Sequence, residues 1–317
     1  MSAVSSPTPT SAELDALYQA LKNWGRWGAD DQRGALNHLT ASHRTAAARL
    51  VSDGLNVSLG RDLPIRPSAD APFPAHHHML AAGDEGRTNS GIEGYEASRD
   101  YVGTDVHGLG VTHVDALCHM FVEGEMYNGV PASEVRSDGA RRNTVMALAD
   151  GVVGRGVLLD IARHRGVATI DAREPVTRAE LEAAEAAAGV TVGTGDILMV
   201  GCGRDALRTA QGSLNPMRDG MAGLHPDCLP WLHEREIAVL GSDGISDPMP
   251  GLGIRRWPFP VHQIGIVGIG LHLIDNMALG ELATRCIERN RWEFLFTMTS
   301  LRIQGGTGCP VNPVAVF

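Results

Sequence analysis

Glycine and proline interrupt this chain so often that few long helices can form in it. The 317 residues include 38 glycines and 17 prolines, and both residue types disfavour helix interiors and promote turns. Hydrophobic residues make up 43% of the chain and charged residues 20%, as in water-soluble globular proteins. The length suits one large domain or two small ones. We therefore expect mixed α/β architecture and not a helical bundle.

Short apolar runs alternate with segments of helical spacing. The apolar runs predict strands at 152–161, 196–200, 237–241 and 292–298. Capping residues and helical spacing predict helices at 12–22, 40–53, 177–188 and 279–289. Residues 64–100 are predicted to be irregular, and so long a loop is more often functional than idle. With no internal repeat and no convincing linker, we expect a flexible tail at 1–12 and a single domain at 13–317.

The charge pattern excludes several classes of function. The net charge is −10, and scattered basic residues provide no stripe that could follow a phosphate backbone, so we expect no nucleic-acid partner. No apolar run is long enough to span a membrane, and the N-terminus lacks the pattern of a signal peptide. A cytoplasmic protein is the default expectation. The five cysteines are widely spaced and contain no CxxC pair, which indicates neither a disulfide framework nor a zinc ribbon.

Residues 107–119, HGLGVTHVDALCH, place three histidines and an aspartate within thirteen positions. Imidazole and carboxylate groups are good ligands for Zn²⁺ and Mn²⁺. Because residues two apart on a strand face the same side, His113 and Asp115 can bind one ion together. A single histidine is usually a surface or hydrogen-bonded residue, but this density favours a site.

The other two histidines of this segment pose a spacing problem. Six residues of extended chain span about 20 Å, so His107 can join His113 only if the backbone folds back between them. Gly108 and Gly110 would permit such a reversal. His119 lies about 13 Å past Asp115 along an extended chain, which places it beside the ion. A neutral imidazole there could take a proton from water and return it to a leaving group.

The segment THVDALCH, followed by GEMYNG at 124–129, resembles the metal motif of the cyclase family, which includes bacterial kynurenine formamidase, isatin hydrolase and a trans-dienelactone hydrolase. The resemblance continues through GRGVLLDIA at 154–162, GDILMVGCG at 195–203 and LHEREIAVLGSDG at 232–244. It extends through PVHQIGIVGIGLHLIDNMALGELA at 260–283 to QGGTGCPVNPVAVF at 304–317. It thus covers roughly residues 20–317, and its best match is the longer, less characterised branch of the family.

This resemblance implies a fold and a set of site residues. The fold is the swivelling β/β/α type, with a mixed sheet around the metal site. His113 and Asp115 match metal ligands, and His119 matches the catalytic histidine. His262 matches a histidine that binds metal in members with two ions, and Asp275 stands one residue beyond the position of a glutamate in such members. The family's HxGTHxDxPxH motif has a histidine where this chain has Leu109, and His107 is the natural substitute.

Several residues outside the motif are further candidates. His77 and His78, in the His76–His78 run, could line a substrate pocket, although adjacent strand residues cannot all face inward. Trp27 either packs the N-terminal arm or covers the pocket. Asp243 and Asp247 follow a predicted strand and could belong to a site or to a turn. The segment GGTGCP at 305–310 could present backbone amides to substrate or shape a tight loop.

The predicted function is metal-dependent hydrolysis of a small amide, lactam, lactone or ester, with His119 as general acid and base. The cofactor is a divalent ion, Zn²⁺ or Mn²⁺, and the partners are a small-molecule substrate and further copies of the chain in a homodimer or homotetramer. Two alternatives stay open: a cyclase or lyase that uses the same site, and a non-catalytic protein that binds metal or ligand.

Overall fold

The computed structural model describes residues 6–85 and 92–317. Residues 1–5 of the predicted tail and 86–91 of the predicted irregular segment lie outside this part. The strands in chain order are β1 (Asn56–Ser58), β2 (His76–Ala81), β3 (Arg99–Gly103), β4 (His113–Asp115), β5 (Glu125–Met126), β6 (Val130–Pro131), β7 (Val135–Arg136), β8 (Gly139–Ala140), β9 (Val152–Asp160), β10 (Ile197–Gly201), β11 (Val239–Ser242), β12 (His272–Asp275), β13 (Glu293–Met298), β14 (Gly308–Pro310) and β15 (Val314–Val316).

Helices of three kinds connect these strands. The α-helices are α1 (Ser11–Ala20), α2 (Ala41–Ala48), α3 (Ile161–Arg165), α4 (Arg178–Ala188), α5 (Arg204–Gln211), α6 (Pro216–Asp219), α7 (Cys228–Glu234), α8 (Pro260–His262) and α9 (Gly280–Arg289). The 3₁₀ turns are Gly34–His38, Gly83–Glu85, Tyr127–Gly129, Ala132–Glu134 and Val145–Leu148. A π-helical segment, Gln263–Ile269, continues α8.

A large curled sheet organises the molecule, with the strand order β1-β15-β13-β9-β10-β11-β12-β4-β14. The central strands β9 to β12 run parallel to one another, and helices return the chain between them because parallel strands need crossover connections. The strands outside this central group pair antiparallel. The mixed α/β architecture predicted from the sequence is confirmed.

Both faces of the central sheet are buried. On β10, Leu198 and Val200 belong to one hydrophobic cluster, and the alternate residues Ile197 and Met199 belong to a second cluster. This alternation follows from the two-residue period of a strand, and strands buried on both faces read as continuous apolar runs. The predicted strands accordingly correspond to β9, β10, β11 and β13, with ends shifted by no more than two residues.

The predicted helices are also present. The capping box that predicted α4 forms as expected, because the Thr177 backbone amide donates to the Glu180 carboxylate at 2.9 Å. The helix ends at Ala188, and the C-cap Gly189 has a φ of 66° that suits glycine. Thr10 forms a capping box with Glu13 at the start of α1, which begins at Ser11, one residue before the predicted start of this helix.

Two predicted elements differ from the structure. The helix expected to reach residue 53 ends at Ala48, because the backbone amides of Asp53 and Gly54 donate to the carbonyl of Phe317 and not to the helix. The segment expected to be irregular contains β2 and β3, which form an antiparallel two-stranded hairpin. This hairpin is absent from the sequence prediction because its residues are largely exposed and show no alternation of apolar and polar residues.

In the part of the chain that the structure describes, no helix has both the length and the apolar character needed to cross a membrane.

Candidate metal centre

The short strand β4 brings the central motif into the sheet between β12 and β14. His113 lies opposite Asp275 of β12, and Asp115 lies opposite Gly308 of β14. His113 and Asp115 are two residues apart on one strand, so they face the same side, as predicted. Both side chains are almost fully buried. The sheet thereby places two carboxylates and an imidazole from adjacent strands side by side.

His107, His113 and Asp115 form a first group with ligand atoms within 4.8 Å of one another. The His107 Nδ1 lies 2.9 Å from Asp115 Oδ1, and the His113 Nε2 lies 3.4 Å from the same oxygen. The His113 Nδ1 donates to the carbonyl of Val111 at 2.8 Å. This hydrogen bond fixes the tautomer that leaves Nε2 free towards Asp115.

His107 reaches the group because residues 107–112, which we call the fold-back loop, reverse the chain direction. The Val111 amide donates to the Gly108 carbonyl at 3.1 Å and closes a turn. The reversal was predicted to depend on Gly108 and Gly110, and neither of them has a positive φ. The glycine that the approach requires is Gly308, where a Cβ would stand 2.8 Å from the His107 ring and 2.7 Å from the Val114 carbonyl oxygen.

Asp115, His262 and Asp275 form a second group within the same distance limit. The His262 Nε2 lies 3.5 Å from Asp115 Oδ2 and 3.4 Å from Asp275 Oδ2. Behind it, the His262 Nδ1 lies 2.7 Å from Asp247 Oδ2. The Asp247 carboxylate also accepts hydrogen bonds from the backbone amides of Val261 and His262, so it holds the His262 ring in place. Of the two sequence interpretations of Asp247, site or turn, the structure favours an orienting role at the site.

The two groups share Asp115, and the side chains in them shift one another's pKa values. Burial opposes ionisation of Asp115, but the surrounding histidines hold the pKa of its carboxyl well below the usual value. Burial would lower the pKa of His113, but the hydrogen bond and charge of Asp115 raise it to about 9. Burial raises the pKa of Asp275 despite the nearby His262. Each imidazole is therefore held against a carboxylate, as expected of a site built for cations.

His119 returns to the cluster through a turn, since its amide donates to the Ala116 carbonyl at 2.9 Å. Its ring stacks on His107 with the centroids 3.8 Å apart and the planes at 12°. Burial is the main reason that its pKa falls to about 4. His119 is thus a neutral imidazole near pH 7, next to both groups but a member of neither.

The donor set fits divalent metal ions. Among the described residues, Asp115 Oδ2 and Asp275 Oδ1 are buried without a hydrogen-bond partner. An unpaired buried carboxylate oxygen is costly, and a bound cation would remove that cost. Imidazole nitrogens and carboxylate oxygens are the ligands that Zn²⁺ and Mn²⁺ accept.

A family model described as "Putative cyclase" matches residues 31–247. The chain belongs to the cyclase family. A crystal structure titled as a novel cyclase is 32% identical, covers 95% of this chain and 99% of its own, and superposes with a TM-score of 0.85. The fold is therefore the cyclase-type fold that the motif predicted.

Isatin hydrolases are more distant structural neighbours of this cyclase-family chain. Isatin hydrolase A from Labrenzia aggregata, bound to benzyl benzoate, is 19% identical and has a TM-score of 0.58 over 85% of this chain and 94% of its own. An isatin hydrolase bound to the product analogue thioisatinate is 17% identical, with a TM-score of 0.55 over 87% and 98%. At this identity the likeness concerns the fold alone. A comparison with curated proteins finds no significant match.

Leu109 stands where the cyclase motif has a histidine, and it serves packing. Its side chain is partly buried against a small cluster of Met221, Ile245 and Met249. Met221 and Met249 also line a cavity of about 800 Å³ beyond the carboxyl ends of β10 and β11. At position 109 an apolar side chain packed on this cluster thus stands in place of the imidazole, while His107 supplies a ring to the metal centre.

The three residues predicted to bind substrate lie in other surroundings. His77 and His78 are on the exposed hairpin, where the His77 Nε2 lies 3.0 Å from Asp100 and the His78 ring lies beside Tyr101. Trp27 packs edge-on against His38 with the centroids 5.0 Å apart. The structure therefore gives these residues neighbours outside the two groups, and for Trp27 it favours the packing interpretation.

Some residues of the centre were not predicted from the sequence. The Thr307 hydroxyl lies 3.0 Å from the His107 Nε2, and the His272 Nδ1 donates to the Asp115 carbonyl at 2.9 Å. Thr307 lies in the GGTGCP segment, for which the sequence predicted either backbone amides that face substrate or a tight loop, and not a side chain at the metal centre. All five cysteines are free and buried, and burial raises the pKa of the Cys118 thiol to about 12.

Proposed function

We propose that this chain is a metal-dependent hydrolase of a small amide, lactam, lactone or ester. The observation that carries the proposal is the pair of buried ligand groups joined by Asp115, with the neutral ring of His119 alongside. His107, His113 and Asp115 would hold one divalent ion, and Asp115, His262 and Asp275 could hold a second. A bound Zn²⁺ or Mn²⁺ would activate water and polarise a carbonyl group.

In this proposal, the chain's own residues move the protons and orient the ligand side chains. His119 is the general base and then the general acid: its low pKa leaves the ring free to accept a proton from water near pH 7 and to donate it to the leaving group. Asp247 holds the His262 ring, and the Val111 carbonyl holds the His113 ring, so that each Nε2 faces the ligand cluster. Burial of the cluster excludes bulk water from the charges.

The first test is elemental analysis of the purified protein, a His113→Ala variant and a His164→Ala control. His164 belongs to α3 and lies outside both groups. We expect Zn or Mn in the protein and the control, and a loss of metal in His113→Ala together with a loss of turnover on an ester, lactone and amide panel. Absence of metal from all three after reloading contradicts the proposal.

The products separate the proposed reaction from its alternatives. Hydrolysis adds one water to the substrate, whereas a cyclase or lyase reaction does not, so the product mass distinguishes them. Bound metal without turnover across the panel would favour a non-catalytic binding protein.

We also propose that the chain forms a homodimer or homotetramer through the β2–β3 hairpin. Large apolar side chains on this hairpin are about half exposed, among them Leu80 at 50% and Val102 at 54%. A two-stranded hairpin alone is at best marginally stable in water, and clustered exposed apolar residues mark contact surfaces.

A further inference from the structure

Asn276 follows the metal-ligand candidate Asp275 at the end of β12, and its amide group faces the fold-back loop. The side chain is fully buried. Its Nδ2 donates to the carbonyls of Val111 at 3.1 Å and Gly108 at 3.4 Å, and its backbone φ is 57°. Few residues other than glycine adopt a positive φ, and asparagine is among those that do. Asn276 thus bonds two carbonyls of the loop from a backbone conformation that few residues accept.

Arg204, the first residue of α5, also forms hydrogen bonds to this loop. Its side chain is only 7% exposed. Nη2 donates to the Leu109 carbonyl at 2.9 Å, and Nη1 donates to the side-chain oxygen of Asn276. Asp70 balances the charge, with its carboxylate 3.4 Å from Nη2. Burying a guanidinium is costly unless it is paired and hydrogen-bonded, and here its donors reach the loop, Asn276, Asp70 and the Asp243 carbonyl.

These contacts continue to the metal centre. The Val111 carbonyl accepts hydrogen bonds both from Asn276 and from the His113 Nδ1. The hydroxyl of Thr112 donates to the Asn276 carbonyl at 2.7 Å. Asn276 therefore bonds the Gly108 carbonyl at the turn, the Val111 carbonyl that orients His113, and Thr112 at the end of the loop. Arg204 bonds the loop between them, at the Leu109 carbonyl.

We propose that Arg204 and Asn276 are positioning residues that keep the fold-back loop closed, so that His107 and His113 present ring nitrogens to a divalent metal ion. The inference rests on the proposed function for the metal, but the loop contacts themselves do not depend on it. Neither residue is a ligand, and both act through hydrogen bonds to the backbone of the loop. Groups that orient metal ligands in this way change metal affinity by about 10–100-fold when they are replaced.

A buried polar pair could instead stabilise the fold without any effect on the site, and Arg208 provides the matched control. It lies one turn further along α5 and forms an ion pair with the same carboxylate, that of Asp70. Its side chain is 30% exposed, and among the described residues its hydrogen bonds and ion pairs do not include the fold-back loop. Arg204→Met and Arg208→Met therefore remove comparable charges from one network, but only the first removes donors to the loop.

The test measures Zn²⁺ and Mn²⁺ affinity of the metal-free proteins with a competing chelator, together with their free energies of unfolding in urea. We expect Arg204→Met to bind metal about 10–100-fold more weakly, and Arg208→Met to stay within about twofold of the unmodified protein. If Arg204→Met does not fold, Asn276→Asp is measured in its place, because it keeps the shape and loses both donations to the loop. Equal affinities in the loop variant and the control overturn the inference.

Hydrogen exchange on the metal-free proteins separates this inference from the proposed function. We expect faster exchange in residues 107–112 of Arg204→Met than in Arg208→Met, and unchanged exchange in that loop overturns the inference. If the unmodified protein binds no metal, the proposed function fails, while the exchange comparison still decides whether Arg204 keeps the loop closed.

Discussion

Asp115 has a position that no other residue of the metal centre shares, because both ligand groups include it. Its Oδ1 faces His107 and His113, whereas its Oδ2 faces His262. If each group held an ion, the shared carboxylate would make the binding of one ion depend on the other. Asp275, in contrast, belongs only to the second group.

This asymmetry predicts different metal contents for two isosteric substitutions. Asp115→Asn should lose both ions, because each group loses its shared negative charge, whereas Asp275→Asn should keep the ion at His107 and His113. Elemental analysis after dialysis against metal-free buffer measures the difference. Equal metal content in the two variants would contradict the arrangement with one shared carboxylate.

The sequence was most informative about residues whose contacts are local. His113 and Asp115 are two positions apart, so the geometry of a strand was enough to place them together. Arg204 and Asn276 gave no signal, because their partners Leu109 and Val111 are more than ninety positions away along the chain. The identity of a buried positioning residue depends on such distant backbone carbonyls, which no local pattern reports.

At the scale of elements, the hairpin of β2 and β3 is notable because nearly all residues of its two strands are exposed. Across the strands His77 pairs with Val102 and His78 pairs with Tyr101, so both faces combine a histidine with an apolar or aromatic side chain. If the hairpin is a subunit contact, a charge at its centre must weaken association, because an unpaired charge is costly to bury.

We therefore expect Val102→Glu to lower the mass of the assembly in light scattering coupled to gel filtration. Val167→Glu is the control, since Val167 is exposed to a similar extent, 45%, after α3. The circular dichroism spectra of both variants should match that of the unmodified protein. A monomeric unmodified protein, or an equal effect of both substitutions, would contradict the proposed contact.

Elements were predictable where burial produces a pattern. The strands β9, β10, β11 and β13 have apolar runs because the sheet buries them, and α4 has both its capping box and its terminal glycine. The sequence predicts too long a helix α2, because the amides of Asp53 and Gly54 donate to the Phe317 carbonyl. That acceptor lies at the other end of the chain, so no local pattern indicates it.

At the scale of the whole molecule, the sheet brings distant parts of the sequence to one place. Strand β4 pairs with β12 on one side and with β14 on the other, although about 160 and 195 residues separate the paired positions. His262 reaches the centre from α8 and the π-helical segment that follows it, and such segments occur frequently at functional sites. Strand order of this kind cannot be read from local periodicity, and the family resemblance implied only the type of fold, with a mixed sheet around the metal site.

Because the ligands come from separate parts of the fold, metal binding should stabilise the whole molecule. The unfolded chain has no assembled site, so an ion that binds only the folded state adds about 2.7 kcal/mol when its concentration is one hundred times its dissociation constant. For a chain of 317 residues, this corresponds to a rise of about 4 °C in the melting temperature.

Thermal unfolding followed by calorimetry with added Zn²⁺ or Mn²⁺, and with a chelator, measures this rise. Asp115→Asn should melt at the same temperature in both conditions, because both ligand groups lose their shared carboxylate. A rise of equal size in Asp115→Asn would mean that the ion binds elsewhere. No rise in the unmodified protein would mean that the buried carboxylates of Asp115 and Asp275 are satisfied by something other than a metal ion.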